Sequence, residues 1–181
     1  MRVSLKWLSE LVGDLPAPDV VARELTAVGL EVEAVERVGT GLEGVVVARV
    51  LSSDKHPNAE KLSVTRIDRG HGEPLQVVCG ARNYQVGDLV PLATVGANLP
   101  GGTKIEKAKL RGVESFGMLC SARELGLSED ASGLLILPAD AVPGTPIAQA
   151  LGLEDVLLEV NVTPNRPDAL SHLGIARELA A

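Results

Sequence analysis

Residues 45–68 read VVVARVLSSDKHPNAEKLSVTRID, and how this stretch is parsed decides the fold. Its two ends, VVVARVL and LSVTRID, are rich in β-branched residues and short enough to be strands. Between them Pro57 fixes φ and Asn58 can hydrogen-bond its own backbone, the chemistry of a tight turn. Yet HPNAEKL (56–62) also packs a histidine, an asparagine and a lysine into one corner, residue types that a catalytic centre, a metal site or a ligand-touching edge would use. Downstream the same punctuation continues: LQVVC, LVPLATV, TKIEKAKLRG, GMLCS and LLILP are short segments separated by glycine and polar turns. One or two helical turns are expected at SARELGL. Short strands at this spacing predict a small all-β barrel or sandwich.

Outward from this module the pattern changes. Residues 4–12 predict a short helix capped by Ser4, and Pro18 to Val28 a second one, with Val21, Leu25 and Val28 on one face and Gly29 just beyond its end. EVEAVERV reads as a strand. On the far side, LLEVNV alternates Leu158, Val160 and Val162 against Glu159 and Asn161. A helix beginning near Pro167 carries Leu170, Leu173, Ala176 and Leu179. Neither flank is long enough to bury a core alone. The expected architecture is therefore α+β: a split domain of residues 1–41 with 151–181, into which a β module of residues 42–150 is inserted. The chain stops inside a helix-favouring run without a cap, which reads as a piece of something longer.

Of the 181 residues, 45% are apolar, enough for a real core, and no eighteen of them run together as a membrane span would. The N-terminus lacks the apolar region and cleavage site of a signal peptide. Cys79 and Cys120 lie far apart, which suits a reducing compartment, so a cytoplasmic chain is expected. Net charge is −7, but it is unevenly spread. The two flanks hold six basic and twelve acidic side chains, the middle eleven and twelve. Within that nearly neutral middle, KIEKAKLR is locally cationic. Strand periodicity places Lys107, Lys109 and Arg111 on one face, with Ala108 and Leu110 on the other. Such a row suits phosphates; on charge alone, a solvated strand face is the alternative.

Other sites fall away. VGANLPGGTK approaches a phosphate-binding loop but has Gly102 where a lysine is required and no helix-forming run behind it. His56, His71 and His172 have no metal-ligand spacing, and no GxSxG nucleophile elbow exists. A metal or catalytic centre is not expected. Lys61, and Arg82 with Asn83 in CGARN (79–83), follow turns on exposed shoulders. With only Trp7, Tyr84 and Phe116 as aromatics, a multi-base stacking platform is not expected, and any RNA contact would be to backbone and shape with at most one or two stacked bases.

Taken together, HPNAEKL, VVCGARN, GDLVPLATVGANLPGG and KLRGVESFGMLCSARELGL resemble the tRNA-binding OB-fold domain attached to several aminoacyl-tRNA synthetases. The flanks VSLKWLSELV and EVNVTPNRPDALSHLGIARELAA are similar to the N-terminal region of the bacterial phenylalanyl-tRNA synthetase β-subunit family, and the likeness covers essentially the whole chain. Glu60 departs from the aspartate common there, which preserves charge. The resemblance implies a five-stranded OB-fold barrel in an α2β2 ligase that joins phenylalanine to tRNA(Phe) with ATP and Mg2+, neither of which is expected to be held here. A catalytic α subunit and the remaining β-subunit domains are implied as partners. Carried over by position, the tRNA-facing residues are Asn58, Lys61, Arg82, Asn83, Ser115, Met118 and Ser121; Lys107, Lys109 and Arg111 come from the periodicity. Cys120 is expected to be buried. A scaffold contacting other protein domains, a domain of another synthetase or a stand-alone tRNA-binding protein remain alternatives.

Overall fold

A computed structural model describes residues 1–181. In chain order its elements are β1 (Arg2–Ser4), α1 (Leu5–Val12), α2 (Pro18–Ala27), β2 (Glu31–Val38), β3 (Val45–Lys55), β4 (Ser63–Asp68) and β5 (Leu75–Cys79). There follow β6 (Leu89–Thr94), β7 (Ala108–Leu110), β8 (Val113–Ser115), β9 (Gly117–Leu119), α3 (Ile147–Ala150), β10 (Asp155–Asn161) and α4 (His172–Leu179). They form two units, Thr40–Gly152 and Met1–Gly39 with Leu153–Ala181.

The inner unit is built on β3. Eleven residues are more than one neighbour needs, and β3 uses two. Val45–Arg49 pair with β6, while Arg49–Lys55 pair with β4 across a register shift between Val50 and Ser52. A bulge of this kind bends a strand and lets one sheet curl. The result is an antiparallel sheet ordered β5-β4-β3-β6-β9. It nearly closes, because the Phe116 N–H donates to the Gln76 carbonyl at 2.9 Å and the Val78 N–H to Ser115 Oγ at 3.0 Å. Ala48, Val50, Ile67, Val77, Val90, Leu92 and Leu119 fill the interior. This is the five-stranded, partly open barrel of the OB type.

Three expectations for this unit are corrected. Residues 103–107 are not strand, and the cationic segment instead forms a β7–β8 hairpin whose two-residue turn is Arg111–Gly112. LLILP is no strand: Leu135 and Leu137 donate their N–H groups to Cys120 and Leu89 from an irregular segment. SARELGL holds turns and no regular helix.

In the outer unit β10 lies between β1 and β2, antiparallel to both. A C-terminal strand is thus the centre of a sheet whose edges come from the N-terminus. Val3, Leu5, Leu8, Val21, Leu25, Leu30, Leu158, Val160 and Ile175 form one core. Ser4 caps α1 by accepting the Trp7 N–H at 2.9 Å, and its hydroxyl donates to Asp155 at 2.6 Å. Asp155 also accepts the N–H groups of Lys6 and Val156. Desolvation works against this carboxylate, yet Ser4 and the two amides outweigh it and hold its pKa below the ordinary value. His172 accepts the Ser4 N–H through Nε2 and stacks on Trp7 with ring centroids 4.0 Å apart.

The helix expected from Pro167 begins later. Pro167–Ala169 is a single 3-10 turn, and α4 starts at His172 behind the Ser171 cap. The shift rotates Leu170 and Leu173 to the surface and brings Gly174 and Ile175 inward, while Ala176 is buried and Leu179 packs against the core as expected. Val28, at the end of α2, is likewise exposed.

Two outcomes follow for the outer unit. A Cβ on Gly174 would lie 2.0 Å from the Asp168 carbonyl oxygen and 2.9 Å from the Ala169 Cα, backbone that cannot swing aside. Gly174→Ala is expected to destabilise this unit by about 2–3 kcal/mol, read as a lowered urea midpoint in the fluorescence of Trp7, the sole tryptophan. Burial lowers the His172 pKa below its ordinary 6.5, with Asp155 opposing weakly. The folded unit then binds fewer protons than the unfolded chain. Stability is full above the ordinary imidazole value of 6.5 and is lost as pH drops through the lowered folded value. His172→Gln flattens that dependence; an unchanged slope in the variant would assign it elsewhere.

Candidate nucleic-acid interface

The HPNAEKL corner is first a structural knot. His56 is buried, and both ring nitrogens are used. A backbone N–H only donates, so Nδ1 accepts from Asn58 at 3.0 Å; a carbonyl only accepts, so Nε2 donates to Leu110 at 3.0 Å. The Asn58 side-chain amide donates to the Arg111 carbonyl at 3.1 Å. Both bonds cross from the corner to the tip of the β7–β8 hairpin. On the other side, Arg82 donates to the Glu60 carbonyl at 3.1 Å. Three loops that are remote in sequence (56–62, 80–83 and 107–113) therefore share one edge of the barrel.

That edge carries exposed Lys61, Arg82, Lys107, Lys109 and Arg111. They are not equivalent, and the single-faced row expected at 107, 109 and 111 does not form. Arg111 sits in the turn with φ +49, followed by Gly112 at φ +96, so the alternation ends at Leu110. Ala108 and Leu110 are exposed as well. Lys107 is paired with Glu114 at 2.8 Å and lies over the Phe116 ring, 4.7 Å from its centroid. Lys107 lowers the Glu114 pKa by hydrogen bond and charge. Lys109 stands opposite Glu114 in the hairpin register. Of the three, Lys107 has its charge most fully answered within the hairpin.

The carried-over residues divide by what holds them. Ser115 is buried, accepting from Val78 and donating to the Gly117 carbonyl, so its hydroxyl closes the barrel. Ser121 is buried in a capping exchange in which its N–H and hydroxyl donate to Glu124 while the Glu124 N–H donates back. Asn83 clamps the Leu134 backbone, donating to its carbonyl and accepting its N–H, both at 2.9 Å. In all three the side-chain polar atoms are engaged within the protein, Asn83 at an exposed position. Met118 stays half-buried in the wall of a groove of about 890 Å³, which Leu62, Leu110 and Leu134 also line. Lys104 and Arg123, which the sequence did not single out, stand at that groove. Cys120 is buried, and burial followed by the Glu124 charge pushes its thiol to about 12, where it is inert.

The hydrogen bonds from His56 and Asn58 are expected to govern how firmly the hairpin sits. His56→Ala or Asn58→Ala should speed amide exchange across residues 108–115 by about tenfold, the effect of losing roughly 1–1.5 kcal/mol. Exchange in β3 and β6 should be unchanged. Equal exchange in wild type and variants would show that the hairpin does not depend on the corner.

The model of a putative tRNA binding domain matches residues 45–146, more than half of the chain and nearly all of the inner unit. Over all 181 residues the chain is 78% identical to the phenylalanine–tRNA ligase beta subunit of Anaeromyxobacter dehalogenans (strain 2CP-C) and 54% identical to that of Syntrophotalea carbinolica, spanning 22% of each relative's length. Among solved structures, the MetRS-related protein of Pyrococcus horikoshii is 22% identical, with 56% of this chain and 85% of that one covered and a TM-score of 0.42. No helix is long and apolar enough to cross a membrane. With the barrel, its three-loop edge and the family match in one place, the chain belongs to the tRNA-binding domain family.

Proposed function

We propose that this chain is the tRNA-holding segment of a phenylalanine–tRNA ligase β subunit, and that it grips the tRNA backbone with the edge formed by loops 56–62, 80–83 and 107–113. One observation carries the choice of edge. Arg111 is the only non-glycine residue of the chain with positive φ. A two-residue hairpin turn of this kind favours Asn or Gly at that position, and an arginine there costs about 1–2 kcal/mol. The corner holds the turn in place through Asn58. A residue retained against its backbone preference, at an exposed tip beside Lys109, is well explained by a ligand that needs its charge.

In this reading Arg111, Lys109, Lys61 and Arg82 meet phosphates, Lys107 contributes less, and Met118 offers an apolar wall to at most one or two bases. Phosphate contacts of this type position a nucleic acid without reading its sequence. Aminoacylation with ATP and Mg2+ belongs, in this proposal, to a catalytic α subunit in a cytoplasmic α2β2 assembly, and this segment has no catalytic role. A scaffold without RNA contact is the competing reading, favoured by the near-neutral charge of the inner unit.

Filter binding of tRNA at several salt concentrations tests both. Arg111→Asn should weaken binding and reduce the slope of log K against log salt by about 1, while the turn itself is relieved and unfolding stability is kept or raised. Lys107→Gln should change the slope less than Lys109→Gln. Wild-type affinity and slope in Arg111→Asn would refute the edge, and no binding even at low salt would favour the scaffold.

A further inference from the structure

The outer unit exposes a run of large apolar side chains that its own fold does not require. Trp7 is 54% exposed, Leu11 44%, Leu170 61% and Leu173 51%. Trp7, Leu11 and Leu173 lie on two helices that pack together, and Leu170 stands three residues before Leu173. Trp7 and Leu11 are one turn apart on α1, Trp7 stacks on His172, and Leu173 follows His172 in α4, which packs against α1. A solvated helix face ordinarily carries charge, and a contiguous apolar patch marks a surface that another surface covers. A tryptophan at its centre is the residue type most enriched where binding energy concentrates.

The occupant can be narrowed by charge and length. This unit holds six basic and twelve acidic side chains, so a polyanion such as tRNA is repelled from it, and a second copy would bring the same excess of negative charge. The relatives that match all 181 residues extend over more than four times that length. Resting on the reading that this chain is a ligase β-subunit segment, we propose that the Trp7–Leu11–Leu170–Leu173 face is the docking surface for the part of the same β polypeptide outside these 181 residues. The complementary surface is apolar at its centre, and the unit's excess of acidic over basic side chains favours one that is basic overall.

Hydroxyl-radical footprinting reads the face directly, since Trp7 and the leucines oxidise in proportion to their exposure. The 181-residue chain is compared with the full-length β subunit in the assembled ligase. Trp7, Leu11 and Leu173 should oxidise readily in the short chain at every concentration and be protected several-fold in the full-length protein, with or without tRNA. Leu173→Glu, at an exposed position that folding tolerates, should restore Trp7 oxidation in the full-length protein while tRNA affinity of the short chain stays at the wild-type value. Equal oxidation in both proteins overturns the proposal. So does protection that grows with short-chain concentration (a second copy), protection that needs tRNA, or a Leu173→Glu protein in which Trp7 stays covered. Loss of tRNA binding by the barrel with protection intact would sink the tRNA edge and leave this face standing.

Discussion

The placement of β10 between β1 and β2 constrains everything else in the outer unit. Its central strand is supplied by the far end of the chain, so no N-terminal piece can complete the sheet, cap α1 through Asp155 or seat His172 on the Ser4 amide. Bringing β10 home closes a loop of the whole inner unit. For a flexible segment of that length the entropy of closure is on the order of 4 kcal/mol. A barrel that folds first removes most of that penalty, because its two ends are then held together. The close approach of Gly39 to the Leu153 carbonyl marks where the chain leaves and re-enters. The insertion is therefore a stable arrangement only because the inserted module has a core of its own.

A second dependence runs through the proline corner. The side chains that most resemble chemistry in the sequence, His56 and Asn58, have their donors and acceptors committed to the backbone of the hairpin tip. What this accomplishes is positional. β7 is exposed along its whole length and has little apolar burial to fix it, and polar anchors into a buried histidine replace the missing core. The cations on the hairpin and the shoulders are thus presented by a rigid frame. The inner unit's count of eleven basic and twelve acidic side chains conceals this, since arrangement and not the sum determines what a phosphate meets.

Local pattern revealed what local pattern controls. Ser4 as a cap, Pro18 opening α2, Gly29 at positive φ behind it, the β-branched strands from Val45 to Thr94 and the Leu158/Val160 face of β10 were all legible, because each rests on residues within a few positions of one another. Long-range contacts were not. Nothing near Asn83 announces Leu134, and nothing near Ser115 announces Val78. The Asn83 amide and the Ser115 hydroxyl, which resembled ligand contacts in a motif, are engaged by partners tens of residues away, whereas Ser121 is held by Glu124 three residues on. The cationic row failed for a nearer reason: Arg-Gly between KL and VES is a two-residue turn signal, and strand periodicity was carried straight through it. Leu170 and Leu173 fit a helical stripe only if the helix starts at Pro167, and the 3-10 turn there changes the phase.

The scarcity of free cations has a consequence for how such a segment can work. With about four phosphates neutralised, affinity falls roughly a hundredfold between about 50 and 200 mM salt. The aromatics add little, since Phe116 lies under Lys107 and Tyr84 is half-buried with its hydroxyl bonded to Ser53. An edge of this strength holds a nucleic acid poorly alone at physiological salt. It becomes effective when another contact already tethers the same molecule, because the second encounter is then intramolecular and millimolar effective concentrations suffice. In the proposed reading, such a weak, sequence-blind grip suits one part of a larger ligase better than an autonomous binder.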